Sequence, residues 1–237
     1  MPSPADRSRF VSEMFGRIAQ RYDLMNTIMT LGQDAWWRRL AVNAAAVPLN
    51  GTALDVGSGT GKVALGLARR VSEGRVIASD FSETMLRQGQ QAMKHDPVGR
   101  RVTFVVADAL NLPFADASIN CVTSAFAVRN LTSASRGFQE MARVTRPGGR
   151  VVCLEITRLD NRLQRAVFGV YFKRLVPLMG QLLSGDATAY RYLPASVDAF
   201  LNPHELAVQM RAAGLVFVRR RMLGMGTVTM LVGTKPD

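Results

Sequence analysis

From residue 52 onward, short apolar runs alternate with stretches in which apolar side chains recur every three to four positions. Residues 52–56, 75–80, 102–107, 119–125 and 151–156 have strand length and composition, whereas 63–71, 83–93 and 135–145 carry helical spacing. Strands separated by helices predict βαβ units and a parallel sheet covered on both faces. Pro147-Gly148-Gly149 reads as a turn that stops one helix and feeds the strand at Val151. The end of the chain changes character. A helix over 203–213 is followed by Gly214 as its C-cap, then by two apolar runs, 215–222 and 227–232, separated only by Gly224-Met225-Gly226. That arrangement predicts an antiparallel hairpin.

Two regions depart from the alternation. Residues 1–48 read as N-terminal helices. In 157–201, Leu159, Leu163, Ala166, Val167, Val170 and Tyr171 share a helical stripe, and Arg158, Arg162, Arg165, Lys173 and Arg174 supply cations. The expectation is a basic amphipathic helix that packs on its own domain or serves as a lid or membrane-facing surface. The division that follows is helices over 1–48 covering a main domain, 49–237, with a helical insertion at about 157–201.

Composition narrows the classes. At 237 residues, 48% hydrophobic and 20% charged, the chain can bury a large core, which excludes wholesale disorder and disulfide mini-scaffolds. Cys121 and Cys153 sit inside apolar runs, as buried reduced thiols do, so neither disulfide, metal site nor nucleophile is expected. No apolar stretch reaches the ~18 residues of a membrane span, and residues 1–6 lack the apolar segment of a signal peptide. A cytoplasmic protein is expected. Its net charge of +12 favours an anionic partner without choosing among nucleic acid, a membrane surface and an acidic cofactor.

Candidate chemistry concentrates at strand ends. Asp55-Val56-Gly57-Ser58-Gly59-Thr60-Gly61 leaves the first strand and enters a helix, where glycines allow a sharp turn and close approach of a ligand. The spacing is G-x-G-x-G, not the dinucleotide G-x-G-x-x-G, and Asp55 suits a cationic amine better than a pyrophosphate. Asp80 closes the second strand, where a carboxylate can hold both ribose hydroxyls, and Asp108 with Ala109 follows the third, beside an adenine edge. Any one aspartate could be a helix cap or a solvated loop residue; three at successive strand ends point to a ligand site.

These residues resemble class I S-adenosylmethionine-dependent methyltransferases, and the flanking sequence resembles the ubiquinone/menaquinone-biosynthesis C-methyltransferases. The family pattern F-x-x-I-A-x-x-Y-D-x-M-N-x-x-M-x-x-G-x-x-x-x-W runs here from Phe15 through Tyr22-Asp23-Leu24-Met25-Asn26 to Gly32 and Trp37. F-x-x-R-N appears as Phe126 to Asn130, R-V-x-[KR]-P-G-G-R-x-x-x-L-E as Arg143 to Glu155, and Y-R-Y-L as Tyr190 to Leu193. The resemblance implies a Rossmann-like class I methyltransferase fold, an α/β architecture with a seven-stranded, mostly parallel sheet. It implies that Asp55, Gly57, Gly59, Thr60 and Gly61 meet the methionine part of S-adenosylmethionine, Asp80 and Phe81 the ribose, and Asp108 and Ala109 the adenine. Ala125 also belongs to that cofactor set, and Tyr22, Asp23 and Asn26 close over it from the N-terminal helices.

The resemblance further puts Arg129 and Asn130 beside the reacting ring. A fixed cation there lowers the pKa of a phenol, ~10 in tyrosine, and makes the carbon ortho to the oxygen nucleophilic. The expected reaction is C-methylation of a polyprenylated quinol, demethylmenaquinol favoured, with another ubiquinone precursor or small molecule as the alternative. A lipid quinol implies peripheral contact with an anionic membrane; monomer and homodimer both stay open. No nucleic-acid partner is expected, because a [DN]-P-P-[FYW] loop is missing after the fourth strand and aromatics do not interleave the basic positions. An NAD(P) oxidoreductase would need the longer glycine spacing and a Tyr-x-x-x-Lys pair, whereas Tyr171 and Lys173 are two apart. Departures from the family are Lys62 after the glycine loop, Asp34 and Leu231 at histidine positions. With His95 and His204 outside every motif, a general base falls to Asp23, Asp34, Tyr22 or Tyr190.

Overall fold

A computed structural model of the protein describes residues 4–159, 165, 168–169 and 187–237. Seven strands form one sheet in the order β3-β2-β1-β4-β5-β7-β6. They are β1 (Thr52–Val56), β2 (Arg75–Asp80), β3 (Val102–Val106), β4 (Ile119–Ala125), β5 (Thr145–Ile156), β6 (Val216–Leu223) and β7 (Val228–Thr234). The first five are parallel, and β7 inserts antiparallel between β5 and β6. The α/β sheet with its C-terminal hairpin is therefore the expected one. The helices are α1 (Pro4–Met29), α2 (Gln33–Ala45), α3 (Lys62–Ala68), α4 (Glu83–Met93), α5 (Ala134–Val144), α6 (Ala187–Asp198) and α7 (Pro203–Ala212).

The strand alternation sorts side chains into two cores. On one face, Ala53, Val76, Ala78, Cys121 and Val152 meet α2 and α3 through Trp37, Ala41, Val42, Ala64 and Leu67. On the other, Leu54, Val56, Val122, Val151 and Leu231 meet α5 and α7 through Phe138, Met141, Leu206 and Met210. Helix α2 thus packs in the main core, and α1 alone forms a separate small cluster, with Met14, Ile18 and Met25 against Tyr192 and Leu193 of α6. Local signals set the helix ends. Ser133 accepts from the Arg136 N–H at the start of α5, and α7 opens with an Asn202–Glu205 capping box followed by Pro203.

The strand expected from Val151 begins earlier. Ile119 already pairs with Thr145, and the register then slips so that Cys121 faces Arg150. Pro147-Gly148-Gly149 bulges out inside β5, with Gly148 at φ +70°, and is pinned where the Gly148 N–H donates to the Lys235 carbonyl and the Lys235 N–H to that of Gly149. The basic helix and most of the insertion expected over 157–201 lie outside the described residues. Both cysteines are free and buried; burial pushes the Cys121 thiol up to about 12 and raises that of Cys153 too. No helix among the described residues is long and apolar enough to cross a membrane.

Candidate active site

The sheet order reverses between β1 and β4, and a cleft opens at the carboxyl ends of the strands there, the place where open α/β sheets bind ligands. Asp55, Gly57, Gly59, Thr60, Asp80, Phe81, Asp108, Ala109 and Ala125 all line it, as do Tyr22, Asp23 and Asn130. Gly61 stands behind this wall at φ +76°, capping α3, where an added Cβ would come within 2.8 Å of Met93. At Gly57, φ is +66° and an added Cβ would lie 2.3 Å from that of Ala127. Only glycine keeps the loop open to a ligand here.

Each acid is held differently. Asp55 is buried at the end of β1, and its Oδ1 accepts from the Thr123 hydroxyl at 2.7 Å. Desolvation pushes its carboxyl up to about 7, against the opposing effect of Thr123. Asp80 accepts the Gly59 N–H on one oxygen and the Ser82 N–H on the other, both at 2.8 Å, so it shapes the glycine loop as well as facing the cleft. Burial raises its carboxyl too, opposed by those backbone donors. Asp108 is exposed and accepts from the Leu110 N–H. Behind it, Arg143 clamps the following loop by donating to the carbonyls of Leu112 and Phe114 and to Asp116 and Glu140.

The roof of the cleft comes from α1. Asp23 accepts from the Thr60 hydroxyl at 2.9 Å and pairs with Lys62 at 3.4 Å, so the helix is tied to the glycine loop through the lysine that departs from the family pattern. A second cavity lies under the same helix. It is lined by Phe15, Ile18, Met25, Met29 and Leu193, with polar groups from Tyr22, Asn26, Arg129 and Tyr192. Asn26, expected over the cofactor, lines this second cavity with Tyr22 and Met29. Tyr22 and Phe15 line both cavities and stack edge to face at 5.5 Å between centroids.

Arg129 is buried in the turn after β4. Its guanidinium donates to Glu155 at 2.6 Å and to the Phe126 carbonyl at 2.5 Å, and its N–H donates to the other Glu155 oxygen. Burial disfavours the charge, but Glu155, Tyr22 and Tyr192 hold it firmly protonated. The expected fixed cation is thus one half of a buried ion pair. Asn130 accepts from the Tyr192 hydroxyl at 3.3 Å. Phe126, at φ +60°, bends the chain out of β4 and lies under the Arg38 guanidinium, 5.5 Å from its ring centroid. Glu155, Tyr192 and Arg38 were not singled out from the sequence, although Glu155 closes one quoted pattern and Tyr192 stands inside another. Asp34 is bonded to Thr30 and Arg38 and lines neither cavity; the side chain of Tyr190 is outside the description.

The residues present fit S-adenosylmethionine. Three strand-end acids share one cleft, glycine leaves room against the backbone, and the Ser58 hydroxyl is buried in the loop with no partner among the described residues. Asp55 would face the amine, Asp80 the ribose and Asp108 with Ala109 the adenine.

Solved structures share the fold. The [4+2]-cyclase SpnF superimposes with a TM-score of 0.70 at 15% identity, over 97% of this chain and 96% of its own. A SAM-dependent methyltransferase from Aquifex aeolicus gives 0.57 at 18% identity, over 78% and 84%. Sequence relatives are nearer. The demethylmenaquinone methyltransferase of Roseiflexus castenholzii is 44% identical over 235 residues, 99% of this chain and 97% of that one. That of Deinococcus radiodurans is 43% identical over 97% and 94%. The ubiquinone/menaquinone biosynthesis C-methyltransferase UbiE of Geobacter sulfurreducens is 36% identical over 97% and 90%. Residues 4–235 match the ubiE/COQ5 methyltransferase family, and with a cofactor cleft built as above the chain belongs to that family of S-adenosylmethionine-dependent methyltransferases.

Proposed function

We propose that the protein methylates a ring carbon of a polyprenylated quinol, with demethylmenaquinol as its substrate. The observation that carries this reading is the pair of cavities sharing Tyr22 and Phe15, one lined by acids and glycines, the other largely apolar and ending on Arg129 and Asn26. The names borne by the relatives point the same way.

S-adenosylmethionine supplies the electrophilic methyl group. The chain's own residues position the acceptor. Phe15, Met25, Met29 and Leu193 take the ring's apolar faces, and Arg129, held in place by Glu155, donates to the quinol oxygen as it becomes phenolate. Because Glu155 compensates its charge, Arg129 acts mainly as an oriented donor, which stabilises charge that develops during reaction. The Tyr192–Asn130 pair fixes the amide beside it. The hydroxyl proton leaves as the ortho carbon takes the methyl group, and that carbon then loses its own hydrogen to restore the aromatic ring and its hydroxyl, so one proton is released overall; Tyr22, which lines both cavities, is best placed to relay it by accepting a proton as it passes its own to water. Helix α1 excludes water from between the two sites.

A lipid quinol requires peripheral membrane contact, and the net charge of +12 suits an anionic bilayer. The test is transfer of a labelled methyl group to demethylmenaquinol in detergent micelles, beside a demethylated benzoquinol and a soluble phenol. Label in the naphthoquinol alone supports the reading; label only in the others, or in none while S-adenosylhomocysteine binds, refutes it.

A further inference from the structure

Three large apolar residues of this protein take positive φ and face water: Phe217, at φ +50° and 79% exposed, lies at the start of β6, and the other two lie in turns at the catalytic end. Leu31, between α1 and α2, sits at φ +52° and is 86% exposed; Met225, between β6 and β7, sits at φ +53° and is 78% exposed. The left-handed region costs a non-glycine residue roughly 1–2 kcal/mol, and polar turn formers are the usual exceptions. Here the strained positions display apolar side chains to water, beside glycines that already take positive φ at 32, 224 and 226.

Helix α2 links the two turns, beginning at Gln33, two residues after Leu31. The Trp37 ring of α2 lies against Gly224, where an added Cβ would meet it at 2.9 Å. Trp36, next in the chain, points outward and is 45% exposed, as Met222 is at 41%. The patch lies at the catalytic end of the sheet, because Val228 pairs with Ile156, the last residue of β5, and Trp37 packs near Phe126.

Its surroundings are cationic. Arg39 is exposed on α2, and the edge strand β6 carries exposed Arg220 and Arg221 beside Arg219. Strand β6 carries no acid beside these arginines. An apolar tip with an aromatic residue and a cationic skirt complements an anionic bilayer. A second copy pairing through the β6 edge would instead set the two arginine runs together.

We propose that Leu31, Trp36 and Met225 form the surface by which the protein seats on an anionic bilayer, turning the catalytic end of the sheet toward the lipid. This rests on the reading of a lipid quinol as substrate. It assigns the contact to turns of the folded domain rather than to the basic segment at 158–174.

The test is sedimentation of the full chain with phosphatidylcholine vesicles, with and without phosphatidylglycerol, comparing wild type with the double variant Leu31→Asn/Met225→Asn. Asparagine tolerates the left-handed region, so the variant keeps or gains thermal stability. Partition onto anionic vesicles is expected to fall about a hundredfold, a factor of about ten for each large apolar side chain no longer withdrawn from water. Transfer to demethylmenaquinol in micelles stays unchanged. Vesicle binding equal to wild type overturns the proposal, as does a wild type that ignores vesicles, or a variant whose only change is loss of a dimer in size-exclusion chromatography. The micelle assay decides the substrate separately.

Discussion

Asp55 is the place where stability and ligand binding conflict most directly. Its carboxyl, buried under the glycine loop, titrates at about 7 against an ordinary 3.8, principally through desolvation. That difference of about three pH units corresponds to ~4 kcal/mol favouring the protonated form of the folded protein. The folded state binds the proton more tightly than the unfolded one. Stability is therefore intact below about pH 4, falls as pH rises through 4 to 7, and stays reduced above. Asp55→Asn removes that titration and keeps an oxygen for the Thr123 hydroxyl. The variant's stability relative to wild type, from urea unfolding across pH 4 to 9, is expected to climb by a few kcal/mol and level off near pH 7. Titrating groups that do not feel Asp55 cancel in that difference, whereas the like charge of Asp80 couples to it and adds to the same rise. S-adenosylhomocysteine should bind the variant at least roughly tenfold more weakly, because a charge-assisted hydrogen bond to its amine is lost. Near pH 7 the wild type should release about half a proton on binding, read from the buffer dependence of the calorimetric heat, and the variant none. A stability difference that stays flat from pH 4 to 8 would refute the reasoning.

Gly57→Ala should abolish measurable cofactor binding and cost ~2 kcal/mol in unfolding free energy, since the new Cβ meets Ala127 at 2.3 Å in a strained backbone. Arg129→Ala strands Glu155 in the core, so a loss of ~3–5 kcal/mol is expected, with the double variant Arg129→Ala/Glu155→Gln recovering most of it but no methyl transfer; a destabilisation that the second change does not relieve counts against the pair. Asp23→Ala frees α1 from Thr60 and Lys62. Because that ion pair is half exposed, stability should drop by under ~1 kcal/mol, while amide exchange in α1 speeds up and cofactor affinity falls.

The sheet and the cofactor cleft were readable because their signals are local. Five apolar runs, the glycine loop and the aspartates at 55, 80 and 108 each announce a strand end within a few residues, and parallel topology brings those ends together. The acceptor side was less legible. Glu155 meets Arg129 only because β5 lies beside β4, a pairing 26 residues apart that no spacing rule encodes. Asn26 and Asp23 are three positions apart, and which of them turns toward the cofactor depends on the rotation of α1, set by Met14, Ile18 and Met25 against α6. The early start of β5 was hidden by Pro147-Gly148-Gly149, which marks a turn in either case and shows its bulge only through register with β4 and Lys235.

The two cavities draw their walls from different parts of the chain. Cofactor-facing groups come chiefly from strand ends and their loops, whereas the second cavity is walled mainly by α1 and α6, which lie outside the sheet. On the proposed function, the donor half is therefore a fixed chassis, and the acceptor half is an interchangeable fitting. Grafting the α1 and α6 faces of another methyltransferase onto this sheet, with Asp23 and Thr60 kept as the joint, is a direct route to a changed acceptor ring with the methyl donor conserved.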